Sequence, residues 1–271
     1  MSNPTLKAYL DAKKKPSRTL GAVERHLLTR PADDRSTLVL HPSEIVKDDW
    51  CLRESCFLLM GVEKKQDRPN LRLQNIFDEG HEYHRKWQAR FADMGVLYGQ
   101  WDHGEGTRKK WGKSSDINPK NRRYLEVPLV SSSAKYRISG KADGWLIGLG
   151  DPALLEVKSV GEGTLRVSGL IGQFGSAEEA WKQMNRPMIG FKQAMMYLEL
   201  GHMTYEDFPN EVVFIYELKS NQAVKEFVAK RNPEMVADVF ENAAKVVRAV
   251  RKGAPLPCNI SEGGCSKCKG Y

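Results

Sequence analysis

Hydrophobic residues along this chain switch between two spacings, and each switch marks an element. Over residues 72–94, Phe77, Gly80, His84, Trp87 and Phe91 recur at steps of 3, 4, 3 and 4, which lines one face of a helix. Residues 43–60 (SEIVKDDWCLRESCFLLM) also read as helix, with Ser43 as N-cap before an acidic first turn. Residues 99–123 are glycine-rich, charged and without period, so they read as a loop or insertion. Strand signals follow at Tyr124–Val130, Tyr136–Ser139, Asp143–Ile147 and Leu154–Lys158. Gly148, Gly150 and Pro152 punctuate the last two as a hairpin. Residues 177–200 are helical in pattern, broken by Pro187 and Gly190 before a helix that starts near Gly190. Val212–Leu218 (VVFIYEL) is an apolar strand, and Val236, Val239, Phe240, Ala243, Val246, Val247 and Val250 give an amphipathic helix over 234–251.

The order of helix, three to four strands, helix, strand and helix predicts a mixed α/β core in a single domain over 41–271. Within it, helices occupy 41–95, a loop or insertion 96–123, the core 124–252 and a cysteine-bearing tail 253–271. Residues 1–40, basic and polar with scattered prolines, read as an arm.

Composition sharpens this picture. Of 271 residues, 41% are hydrophobic, enough for a substantial core, and the net charge is +8. The excess is clustered at Lys13-Lys14-Lys15, at Arg108-Lys109-Lys110 with Lys113, and at Lys120 with Arg122-Arg123. Such clusters suit a nucleic-acid backbone. No apolar run approaches the roughly 20 residues that span a bilayer, and the N-terminal MSNPTLKAYLDAKKK has no apolar signal core. The expectation is a soluble cytoplasmic protein, in which the sequon Asn259-Ile260-Ser261 carries no meaning. Five cysteines, an odd number, argue against a disulfide framework.

The candidate chemistry lies on the predicted hairpin. Glu156 and Lys158 are two apart on a strand and project from one face. With the connecting loop centred between Leu149 and Gly150, Asp143 stands opposite Glu156 on that face, with Cβ atoms about 5 Å apart. A slip of one residue would turn Asp143 away. Two such carboxylates repel each other unless a cation sits between them, and oxygen ligands suit Mg²⁺ or Mn²⁺. The Val157 carbonyl is a further candidate ligand. Lys158 could orient water or stabilise developing charge. A surface Glu–Lys pair is the common alternative, but Ala153-Leu154-Leu155 and Ser159-Val160 make the strand read as buried, where charges need partners. His84 interrupts an apolar stripe; alone, it would be an ordinary core histidine. Gly80, one turn earlier, lets a neighbour approach closely. His81, on the flank of the stripe, is the weaker candidate. Gln193 and Tyr197, four apart, share a helix face.

Gly80-x3-His84, Asp143, Glu156-Val157-Lys158 and Gln193-x3-Tyr197 occur in an order that resembles the PD-(D/E)XK nuclease superfamily, and most closely its RecB-like branch with the CRISPR-associated exonucleases. Ala142 replaces the proline of the name-giving motif. The resemblance runs from about residue 43 onward. It implies a restriction-endonuclease-like core, with His84, Asp143, Glu156 and the Val157 carbonyl around Mg²⁺ or Mn²⁺. Lys158 is then catalytic, with Gln193 and Tyr197 in support.

Cys51-Leu52-Arg53 resembles the C-P-R opening of many RecB-like nucleases. With Cys258, Cys265 and Cys268 it completes a four-thiolate set that in iron–sulfur members holds a [4Fe–4S] cluster; four thiolates equally suit zinc. Cys56, beside Phe57-Leu58-Leu59, reads as a core thiol. Gly112-Lys113-Ser114 mimics the end of a phosphate loop, but Gly106 stands one residue too far upstream, so no nucleotide cofactor is expected. His103 reads as a loop residue. The expected function is a metal-dependent DNA exonuclease acting on single-stranded ends in recombination, repair or CRISPR or phage DNA processing. Expected partners are DNA, a second copy of the chain, or recombination or CRISPR proteins, and no membrane. The rivals are a catalytically inactive DNA-binding protein of the same fold and an endonuclease using the same site.

Overall fold

The computed structural model describes residues 18–29, 38–63, 71–102, 109–117, 123–131 and 133–271. The chain divides into two compact units. One comprises Met1–Arg35 and Gln66–Glu79. It holds helix α1 (Arg18–Thr29), in which the Thr29 hydroxyl donates to the His26 carbonyl at 2.8 Å. So part of the arm expected over 1–40 is helical; its lysine cluster lies outside the described residues.

The other unit, Ser36–Lys65 and Gly80–Tyr271, is built on a mixed seven-stranded sheet. Its strands are β1 (Leu97–Asp102), β2 (Lys110–Lys113), β3 (Arg123–Tyr124), β6 (Gly144–Leu146), β7 (Ala153–Val160), β8 (Glu211–Leu218) and β9 (Val224–Lys230). The order is β2-β1-β6-β7-β8-β9, with β3 also on β1. Among the described strands only β7 and β8 pair in parallel, joined through a helical crossover as parallel neighbours require. A separate two-stranded sheet pairs β4 (Val127–Val130) with β5 (Ser139–Ala142).

Both faces of β7 are covered, which explains its almost unbroken burial. Leu154 belongs to the larger core, shared with Phe214 and Tyr216 of β8, α8 (Phe191–Thr204) and α9 (Ala237–Arg251). Leu155 and Val157 face the smaller core, with Ile215 and with Phe91 and Ala92 of α4 (Leu71–Asp93). Three shorter helices fill the crossover: α5 (Glu162–Val167), α6 (Leu170–Phe174) and α7 (Ala177–Gln183).

Several expectations need correction. The helix predicted over 43–60 is two: α2 (Pro42–Ile45) and α3 (Leu52–Leu59). The break falls where Cys51 caps α3, its sulfur accepting from the Glu54 amide; a thiol is not among the usual cap signals. The loop expected over 96–123 contains β1 and β2. Leu97 and Trp101 alternate inward, but Gly99 masks the period. Gly99 is there because Tyr124 lies across it: a Cβ at Gly99 would sit 2.6 Å from the phenol oxygen. The strand predicted over Tyr124–Val130 splits at Glu126, whose φ is +65°. The strand expected at Tyr136–Ser139 shifts to β5, and Ile138 instead bridges Leu40. Strand β9 and helices α5 and α6 carried no periodic signal strong enough to read.

Candidate active site

The β6–β7 ladder pairs Gly144 with Leu155 and Leu146 with Ala153. One step further this register sets Asp143 beside Glu156. Asp143 is buried and fully engaged: one carboxylate oxygen, Oδ2, accepts from the Val157 amide at 2.7 Å, and the other, Oδ1, lies 3.0 Å from His84 Nδ1. Gln88, one helical turn beyond His84 on α4, donates to the Asp143 carbonyl at 2.8 Å. Thus α4 is fastened to the β5–β6 junction by two side chains, and the His84 interruption of the apolar stripe is an inward-facing polar contact. His81, by contrast, is exposed.

Glu156 is 1% exposed. Its Oε1 meets Lys158 Nζ at 2.5 Å, while Oε2 is buried with no hydrogen-bond partner. A buried carboxylate oxygen without a donor is costly. Burial pushes the Glu156 carboxyl up to about 7 despite the neighbouring lysine. Burial acts to raise Asp143 as well, but His84, Lys158 and the Val157 amide overcome it and hold its carboxyl below the usual range. His84 is raised in turn: burial opposes its charge, and Asp143 more than compensates.

Lys158 is confined from above. Gly190, left-handed at φ +75°, caps α8, and a Cβ there would stand 2.5 Å from Lys158 Cε. The loop is pinned by Tyr216 of β8, whose hydroxyl donates to the Ile189 carbonyl and accepts from the Ile189 amide at 3.0 Å. One turn into α8, Gln193 Nε2 donates to Tyr197 Oη at 2.8 Å. Burial raises the Tyr197 phenol, and the charges of Glu156 and Asp143 add to this.

Sequence reading missed Glu126. Its carboxylate, an imidazole nitrogen of His84 and a carboxylate oxygen of Asp143 all lie within 4.8 Å of one another. No sequence period announces it, because it occupies the left-handed kink between β3 and β4.

The four cysteines converge. Cys51 and Cys258 sulfurs are 3.8 Å apart, Cys265 and Cys268 sulfurs 3.8 Å, and all four lie within 4.8 Å of one another. Asn259 brackets the cage, accepting from the Leu52 amide at 2.8 Å and donating to the Trp50 carbonyl at 2.9 Å. Backbone amides of Ile260 and Ser261 pull the Cys258 thiol down to about 6. Cys56 lies apart, in the large core. Gly112 and Lys113 end β2, and Ser114 opens a short 3₁₀ turn; His103 and Gly106 lie outside the described residues.

No protein-family model matches the sequence, and no curated protein matches it. Among solved structures, the chain is similar to LHK-Exo in complex with dAMP at a TM-score of 0.45 and 13% identity, covering 80% of this chain and 90% of that one. It is also similar to the alkaline exonuclease LHK-Exo from Laribacter hongkongensis at 0.43 and 11%, with the same coverage. Side chains, rather than these distant likenesses, carry the functional reading. They define a mixed α/β protein with a buried acid–lysine site and a separate four-thiolate cage near its C-terminal end.

Proposed function

We propose that this chain is a metal-dependent deoxyribonuclease that hydrolyses phosphodiester bonds, working as an exonuclease on single-stranded ends. The observation that carries the reading is the orphaned Oε2 of buried Glu156 beside Asp143, with Lys158 at hand. A donor set of one imidazole and close carboxylates fits a divalent cation. His84, Asp143, Glu156 and the Val157 carbonyl are the residues to hold it. Such an ion lowers the pKa of water and neutralises charge on a phosphate.

The chain's own groups supply the rest. Lys158, oriented by Glu156 and confined by Gly190, presents an ammonium to the developing charge. Gln193 fixes the Tyr197 hydroxyl, a polar pair on α8 that would support the site. The described basic residues Lys109, Lys110, Lys113 and Arg123 would guide the strand. The setting is DNA recombination, repair or CRISPR or phage DNA processing in a reducing cytoplasm. Among the described residues no helix is long and apolar enough to cross a membrane.

For the cage, sulfur spacing supports zinc. A tetrahedral ion with bonds of about 2.3 Å sets its thiolates about 3.8 Å apart, the spacing seen at Cys51–Cys258 and Cys265–Cys268. A four-iron cube carries each thiolate on a separate corner and spreads them wider. Colourless protein with one zinc per chain is expected; brown protein with iron and sulfide would return the reading to a cluster.

The test of function is a time course on end-labelled linear and closed circular DNA with Mg²⁺, Mn²⁺ or neither. Shortening of linear DNA alone, lost in Lys158→Ala, supports the exonuclease. Cutting of circles makes it an endonuclease. Binding without any cutting in either cation makes it an inactive DNA-binding relative.

A further inference from the structure

The residues grouped around His84 are not the set that the hairpin alone would supply. Three segments meet there: α4 with His84, the β5–β6 junction with Asp143, and the kink between β3 and β4 with Glu126. The kink is tied to β1 through the Leu125 amide, which donates to the Gln100 carbonyl at 2.8 Å, and the Gln100 amide, which donates to the Glu126 carbonyl at 3.4 Å. The side chain is thereby turned inward toward Asp143. Carboxylate oxygens this near to each other repel unless a cation lies between them.

A second, separate observation points to a ligand. Glu156, buried and opposite Asp143 in the extended register, keeps Oε2 without a partner. Ligand bonds of about 2.1 Å put opposed ligands of one ion about 4.2 Å apart. The three groups at His84, Glu126 and Asp143 lie within 4.8 Å of one another, close to that span.

We propose that Glu126 is a metal ligand, and that His84, Glu126 and Asp143 form a divalent-cation position beside Glu156. With one nitrogen and carboxylate oxygens, the set suits Mn²⁺ better than the harder Mg²⁺. The proposal rests on the metal-dependent reading above but is tested without cleavage.

The experiment is Mn²⁺ titration of the full chain with its thiolate ion in place, followed by electron paramagnetic resonance and by thermal melting. Wild type and an exposed-acid control, Glu206→Gln, bind Mn²⁺ and melt higher with it. Glu126→Gln weakens binding at least tenfold. Glu126→Gly, which suits a φ of +65°, melts no lower than wild type without Mn²⁺ and gains less from it. Equal Mn²⁺ affinity in both variants and wild type overturns the proposal, as does a wild type that binds none. If Glu126→Gln loses Mn²⁺ while wild type cuts no DNA, the nuclease reading fails and this one stands. If wild type cuts DNA and Glu126→Gln binds Mn²⁺ normally, the reverse holds.

Discussion

Lys158 and Glu156 set the terms at the scale of single residues. Lys158→Ala should lower cleavage by about 10²- to 10⁴-fold, the usual range for a positioned proton-handling or charge-stabilising group; it should also lower the melting temperature, since buried Glu156 loses its partner, with DNA affinity little changed. Glu156 offers a pH signature. Its carboxyl is raised from 4.5 to about 7, so the fold keeps a proton there that an exposed glutamate would have lost. On the proposed site, a cation taken up there would have to displace that proton. Affinity should therefore fall about tenfold per pH unit below about 7 and level off above it. Calorimetry in buffers of differing ionisation heat would register the released proton near pH 6; a pH-independent affinity would contradict the assignment. These residues were legible in the sequence because a hairpin has period two, and a two-residue spacing plus one turn position fixes which side chains share a face. Glu126 was not, since a positive φ in a non-glycine residue leaves no trace in hydrophobic period. Neither was Gln88, whose role is a bond to a backbone carbonyl at the distant β5–β6 junction.

Elements bring these residues to one place, and the α7–α8 loop is the element most open to test. Gly190→Ala adds a methyl at a left-handed position and drives it into Lys158. The backbone cost is about 1–2 kcal/mol, and the displaced ammonium should lower kcat with KM held. Tyr216→Phe removes the hydroxyl that pins Ile189; it should give a milder loss of kcat and about 1 kcal/mol of stability. A normal kcat in Gly190→Ala would show that Lys158 needs no such confinement. The break before α8 was readable from Pro187 and Gly190, and α4, β8 and α9 from their periods. Strand β1 was hidden by the glycine that lets the Tyr124 ring cross it, and the start of α3 by a cysteine in the place of a serine or aspartate.

At the scale of the whole molecule, two features lie outside the acid site. Trp111, 39% exposed on edge strand β2, stands between Lys110 and Lys113 with the rings of Tyr98 and Tyr205 behind it. On the nuclease reading, an exposed ring on a basic edge strand would offer a stacking surface for a base, worth about 1–3 kcal/mol. Trp111→Ala in the Lys158→Ala background should weaken anisotropy-measured binding of a single-stranded oligonucleotide by roughly five- to a hundredfold; unchanged binding would place the strand's path elsewhere. The thiolate cage joins positions 207 apart in sequence. Cys258→Ser should lower the melting temperature even without DNA, because an ion held by the cage would close a long loop. Cys51 does two jobs, capping α3 and lining the four-thiolate cage, so that a single lesion there would loosen a helix start and free the 258–268 segment together. On the zinc and nuclease readings together, an oxidant that converts that thiolate would silence cleavage by unfastening the frame while leaving every group of the acid–lysine site chemically intact. Restoring reductant and zinc would then return the activity without new synthesis.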